Sequence, residues 1–171
     1  MSIKKRVTSY VSLTVSALLT VALLSGCGFK LRGDYLLPEQ LQTLYVSSSD
    51  PNGELARIVR QHLSINEVDV VKAPAQNTPQ LRLLTDKLDR RTLSLFNNGQ
   101  VAEYELTYSV AYELIDVELD KRQRFNFAIT RNYQDDPDRA LAKSRELNLL
   151  HKEMRFEAAD IILRNLASSN F

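Results

Sequence analysis

An α+β fold, with two helices packed on one face of a mainly antiparallel four-stranded sheet, is predicted by three observations. Between Ala102 and Leu114 apolar and polar residues alternate strictly, with Ala102, Tyr104, Leu106, Tyr108, Val110, Tyr112 and Leu114 on one face; that period of two belongs to a half-buried strand. Two other stretches, starting at Glu54 and at Pro137, repeat their apolar residues at helical spacing. The composition, 44% hydrophobic and 25% charged over 171 residues, suits one folded domain with a real core.

In chain order, Leu44-Tyr45-Val46 is a short strand, and Asp50-Pro51-Asn52-Gly53 supplies turn residues before the first helix. Leu55, Ile58, Val59 and Leu63 make that helix amphipathic to about Ile65. Val68, Val70 and Val71 form a short extended segment, and a loop with two prolines spans Ala73 to Pro79. Leu81, Leu83 and Thr85 alternate on one parity, while Thr92, Ser94 and Phe96 do so on the other. A phase change inside one strand predicts a bulge near Lys87 to Arg91. Asn97-Asn98-Gly99-Gln100 predicts a hairpin, because Asn-Gly accepts the positive φ of a tight turn. The central strand follows, then a charged connection from Asp116 to Gln123 and a further strand through Phe125, Phe127 and Ile129 to Tyr133. Asp136 and Pro137 read as the cap and first residue of a helix running to about Ala167.

The first 26 residues read as an export signal. Lys4, Lys5 and Arg6 precede an uncharged run from Val7 to Leu24 that ends in Leu24-Ser25-Gly26-Cys27. That ending resembles the lipobox of bacterial lipoproteins, in which the cysteine thiol takes a diacylglyceryl group and becomes the mature N-terminus. A membrane span needs about 18 or more strongly apolar residues, and Ser and Thr dilute this run. The other reading is a secretory signal followed by an accidental cysteine. Cys27 is the only cysteine, and lipidation would explain why an exported thiol stands alone. Residues 27–43 are then a lipidated tether and residues 44–171 a single α+β domain. Loss of the three N-terminal cations turns 22 basic residues against 21 acidic into 19 against 21, a net −2. Neither the whole chain nor the mature one has the positive excess that nucleic-acid binding requires.

No catalytic constellation is visible. His62 and His151 belong to no HExxH pair, and no GxSxG elbow, glycine-rich phosphate loop or SxxK motif occurs. Asp135, Asp136 and Asp138 sit at a helix start, where capping explains them. No metal or cofactor is called for. Tyr104, Tyr108 and Tyr112 read as core beneath the helices. Lys87, Arg90 and Arg91 near the expected bulge, with Lys143 early in the last helix, are the basic residues that suggest an anionic partner, since a cation near a helix start gains nothing from the macrodipole.

Cys27-Gly28-Phe29-Lys30-Leu31-Arg32-Gly33 resembles the mature opening of the LPS-assembly lipoprotein LptE family. Asp50-Pro51-Asn52-Gly53, Asn98-Gly99-Gln100 with Ala102-Glu103-Tyr104, Pro137 with Ala140-Leu141-Ala142-Lys143, and Lys152-Glu153-Met154 follow in the family's order. The resemblance implies no enzymatic activity and no cofactor. It implies an outer-membrane lipoprotein that plugs and helps assemble the LptD β-barrel and binds lipopolysaccharide during insertion into the outer leaflet. It associates Lys143 with lipopolysaccharide binding. A second basic position of the family falls here on Asn97, with Arg90 or Arg91 as the candidate replacement. A general envelope scaffold without a lipid ligand and a lipid-anchored hydrolase are the competing classes. Cys27→Ser is expected to leave the precursor unprocessed and unlipidated, read as a mass and mobility shift; a normal mature lipoprotein from this variant would refute the lipobox assignment.

Overall fold

The computed structural model describes residues 35–169. The signal segment, Cys27 and the start of the tether lie outside these residues. The sheet has five strands, β1 (Thr43–Ser48), β2 (Asp69–Val71), β3 (Gln80–Leu95), β4 (Val101–Asp116) and β5 (Lys121–Gln134), in the order β2-β1-β3-β4-β5. Helix α1 (Glu54–Ile65) lies between β1 and β2 in sequence, and α2 (Ala140–Ala167) follows β5. The expected four-stranded, mainly antiparallel sheet is corrected to a five-stranded mixed one. β1 pairs parallel with both β2 and β3, while β3, β4 and β5 form the expected antiparallel meander. The fifth strand is the Val68–Val71 segment, whose three-residue length gave no period from which to recognise it.

A short 3-10 helix, Glu39–Leu41, carries Leu41 into the core with no exposed surface, and Tyr35 N donates to Asn66 Oδ1 at 2.8 Å. Helix α1 begins after a turn in which Gly53 N donates to Asp50 O at 3.1 Å. It ends where Glu67 takes φ +61°, the left-handed conformation that stops a helix, and Val68 N returns to Leu63 O at 3.0 Å. Leu55, Ala56, Ile58, Val59 and Leu63 form its buried face. The start of the last helix is as the cap predicts: Asp136 Oδ1 accepts from Asp138 N at 3.1 Å. Its first turn is a 3-10 turn, Pro137–Arg139, before α2 proper.

Alternation on β4 decides the core. Tyr108, Val110, Tyr112 and Leu114 are buried under the helices together with Leu106. They meet Met154, Ala158, Ala159, Ile162, Leu163 and Leu166 from the second half of α2. The Tyr112 ring stacks on Phe125 at 4.9 Å, and Asn165 Nδ2 donates to its hydroxyl at 2.9 Å; burial pushes that hydroxyl's pKa up to about 12. The Tyr108 hydroxyl donates to Asp86 Oδ2 at 2.7 Å.

The phase change in β3 is real but displaced. Leu83 faces Tyr112 and Thr85 faces Ala111, so Leu84 is the extra residue. Pairing then runs without interruption from Thr85 to Thr92, through the stretch expected to bulge, and a second irregularity falls at Leu93. Beyond Leu84 no residue of β3 is buried, so the sidedness of that half is carried by pairing rather than burial. Tyr108→Phe is expected to lower the unfolding free energy by about 1 kcal/mol in urea titration, because the exposed Asp86 regains water. Tyr108→Pro removes a ladder hydrogen bond from a central strand and is expected to yield no folded protein by circular dichroism.

Candidate functional site

The even-numbered residues of β4 face the helices, and at the hairpin end of the sheet they collect the basic residues. Tyr104 lies opposite Tyr133 of β5. The Arg90 guanidinium lies 4.3 Å from the Tyr104 ring centroid, and Lys143 Nζ lies 5.1 Å from that of Tyr133. A row Arg90–Tyr104–Tyr133–Lys143 therefore crosses β3, β4 and β5 and ends on α2, with an aromatic face under each cation. The Tyr133 hydroxyl donates to Lys143 O at 2.8 Å, which pins the first turns of α2 to the sheet. Burial, then Asp135, Glu146 and Tyr104, raise the pKa of Tyr133.

Lys143 is not a free cation. Its Nζ donates to Glu146 Oε2 at 2.9 Å, and its side chain is 18% exposed. It lines an open cleft of about 360 Å³ between β5 and α2, with Tyr133, Glu146, Leu149 and Glu153.

Arg90 and Arg91 do not act together. Consecutive strand residues point to opposite faces, and Arg91 lies on the uncovered side of the sheet. There its Nε and Nη2 donate to Glu105 Oε1 at 3.1 and 2.9 Å. Lys87 is on that side too, 2.7 Å from Asp89. Of the two arginines, only Arg90 shares a face with Lys143. Asn97 sits at the hairpin tip in a different cleft, of about 550 Å³, where Asp136 and Asp138 are the charged groups. Gly99 takes φ +83° there, and Phe96 N donates to Gln100 O at 2.8 Å.

Sequence reasoning missed His151 and Arg155, which continue the basic row along α2. Arg155 lies 6.0 Å from the Tyr108 ring centroid, and its Nη1 pairs with Glu54 Oε2 of α1 at 2.8 Å. His151 Nε2 is shielded from solvent and has no hydrogen-bond partner among the described residues. Burial, then Arg155 and Arg90, lower its pKa. The available signal was spacing: residues 151 and 155 are one helical turn apart and share a face. His62 has a different role, with Nδ1 3.1 Å from Asp160 Oδ1 and its ring 5.5 Å from that of Phe156, joining α1 to α2. Among the described residues no group of three or more His, Cys, Asp or Glu is placed to hold a metal ion.

The family model LptE, described as lipopolysaccharide-assembly, matches residues 41–166. The chain is 37% identical over 155 residues to an LPS-assembly lipoprotein LptE of Pectobacterium atrosepticum, covering 89% of this chain and 83% of that one. It is 39% identical over 150 residues to the protein of the same description from Yersinia enterocolitica, covering 86% and 72%. The crystal structure of rare lipoprotein B from Shewanella oneidensis is similar with a TM-score of 0.67 at 52% identity, over 74% of this chain and 94% of that one. An uncharacterized lipoprotein B from Nitrosomonas europaea is similar with a TM-score of 0.68 at 27% identity, over 82% and 91%.

A histidine whose folded pKa is lowered binds its proton more readily when unfolded. Its contribution makes stability fall as pH drops through 6.5, the ordinary histidine value, and the penalty is complete below the lowered folded pKa. Wild-type protein should therefore lose more stability than His151→Gln between pH 7.5 and 5, measured by urea denaturation; equal slopes would show that His151 is not held neutral by its surroundings.

Proposed function

This chain belongs to the LptE lipopolysaccharide-assembly family, and we propose that it is an outer-membrane lipoprotein whose domain plugs the LptD β-barrel. On this reading residues 1–26 are the export signal, Cys27 carries the lipid, and the domain also supports barrel assembly. It binds lipopolysaccharide during insertion into the outer leaflet and performs no catalytic step. Two acyl-bearing groups on one cysteine supply the more than one anchor that stable membrane attachment needs.

The observation that carries the plug is the face of the β3-β4-β5 meander that no described element covers. In register across it lie Arg82, Glu113 and Arg124 at one end, then Ala111 with Asn126, Ser109 with Ala128 and Thr107 with Thr130, and finally Arg91, Glu105 and Asn132. A bare sheet face with small, polar and mixed-charge side chains suits the polar interior of a large outer-membrane barrel. It does not suit the barrel's lipid-facing exterior. Lys143 supports the lipopolysaccharide reading, because an ammonium within reach of solvent at the end of an aromatic row pairs with a lipid phosphate. The pairing of Lys143 with Glu146 instead favours a scaffold in which that lysine only steadies α2.

Detergent pull-down of the tagged protein from outer membranes should recover one large β-barrel near one-to-one, identified by mass; recovery of no barrel would remove the plug. Lys143→Asp should weaken lipopolysaccharide binding by about tenfold, close to 1.4 kcal/mol, while costing folding no more than about 1 kcal/mol. Unchanged binding by the folded variant would favour the scaffold.

A further inference from the structure

The sheet face that no described element covers is neutralised at one end and not at the other. At the hairpin end Arg91 pairs with Glu105, and Lys87 with Asp89. At the opposite end Arg82 of β3, Glu113 of β4 and Arg124 of β5 stand in register. Arg122 precedes Arg124 by two residues and so shares its face. All three arginines are exposed, and none of their guanidinium groups forms an ion pair or a hydrogen bond among the described residues. Three guanidiniums against the Glu113 carboxylate leave a local excess of two positive charges. Asp69 of β2 is remote: it lies opposite Thr43, four residues and about 13 Å along β1 from the Ser47 that faces Arg82.

We propose, on the barrel reading above, that Arg82, Arg122 and Arg124 dock this face against carboxylates on the interior wall of the barrel. A guanidinium pressed against a wall loses its water, and the contact is unfavourable unless a counter-charge meets it. The hairpin end supplies its own counter-charges; this end needs them from the partner. Arginine suits that contact, because its planar fork takes both oxygens of a carboxylate.

The spacing also fits a wall of strands. Arg82 and Arg124 are two strands apart, about 9.5 Å, and a facing sheet repeats the same interval between its own alternate strands. Arg82 in addition lines a cleft of about 430 Å³ with Tyr45, Ser47 and Gln80, a concave place that an acidic side chain can enter. A lipid phosphate would pair with the same guanidiniums, but its acyl chains need apolar surface. The neighbouring positions of this face are Ala111, Asn126, Ser109, Ala128, Thr107 and Thr130, which are small or polar.

The test uses the tagged full-length lipoprotein recovered in detergent from outer membranes together with its barrel. Arg82→Lys and Arg124→Lys keep each charge and introduce a primary amine, which a carbodiimide couples to a carboxylate in direct contact. Peptide mass spectrometry is expected to find each introduced amine joined to an Asp or Glu of the barrel. Lys87, whose Nζ lies 2.7 Å from Asp89 Oδ1, is the internal control and should couple within the chain. Arg82→Glu combined with Arg124→Glu should lower barrel recovery at least about tenfold, through like-charge contact with the wall, with an unchanged circular dichroism spectrum. Undiminished recovery by that double variant, or coupled products that include no barrel carboxylate, overturns the arginine contact and leaves the plug standing. Undiminished recovery with loss of co-purifying lipopolysaccharide also overturns it and gives the patch to a lipid. If wild-type protein recovers no barrel, the plug reading fails and this contact falls with it.

Discussion

One extra residue in β3 decides which side chains of that long strand face the helices. Leu81 and Leu83 enter the core beside β1 and β4. An unbroken alternation from there would turn Lys87, Asp89 and Arg91 toward the helices and Asp86, Leu88 and Arg90 away from them. Insertion of Leu84 opposite the step from Tyr112 to Ala111 reverses the parity. Asp86 then reaches the Tyr108 hydroxyl, Leu88 packs at the edge of the core, and Arg90 lies on Tyr104. Arg91 is sent to the opposite face, where it meets Glu105.

The layers are then joined by tyrosines used at both ends. The rings of Tyr108, Tyr112 and Tyr133 are almost wholly buried, and each hydroxyl has a partner, as buried phenols require. Tyr108 donates to Asp86 on the neighbouring strand, Tyr112 accepts from Asn165 and Tyr133 donates to Lys143 O. Two of these contacts lie twenty-two residues apart on α2 and set its course along β4. Arg155 adds a tie to α1 through Glu54 and lies over Tyr108. The first half of α2 buries little, with Leu141 80% and Leu149 57% exposed, so Tyr133 holds that half by a polar contact more than by packing.

This arrangement leaves two surfaces with different character. The uncovered sheet face carries small and mixed-charge side chains, with Arg91 and Lys87 neutralised by Glu105 and Asp89. The helix side carries the cations that rest on aromatic rings, with Arg90 in no ion pair among the described residues and Lys143 paired to a solvent-exposed glutamate of its own helix. Neutralised charges suit a surface that must fit against a wall, whereas accessible cations suit one that exchanges an anionic ligand.

Most of the local structure was legible in the sequence, because alternation, helical spacing and turn chemistry are local properties. The antiparallel meander, the Asn-Gly hairpin, the α1 stripe and the Asp136 cap are of this kind. So was the core role of Tyr108 and Tyr112, since they share a face with Leu106 and Val110. The parallel pairing of β1 with β2 and β3 was not legible, because a three-residue strand has no period and its pairing is made by distant residues. The exact place of the bulge was also hidden: β3 beyond Leu84 is exposed apart from the half-buried Leu88, so burial imposes almost no pattern there, and its register with β4 decides. For the same reason the sequence by itself could group Arg90 with Arg91 and Lys143 as basic residues. Tertiary structure alone separated the two arginines by a sheet, paired Lys143 with Glu146 and brought His151 and Arg155 from a distant helix to extend the row.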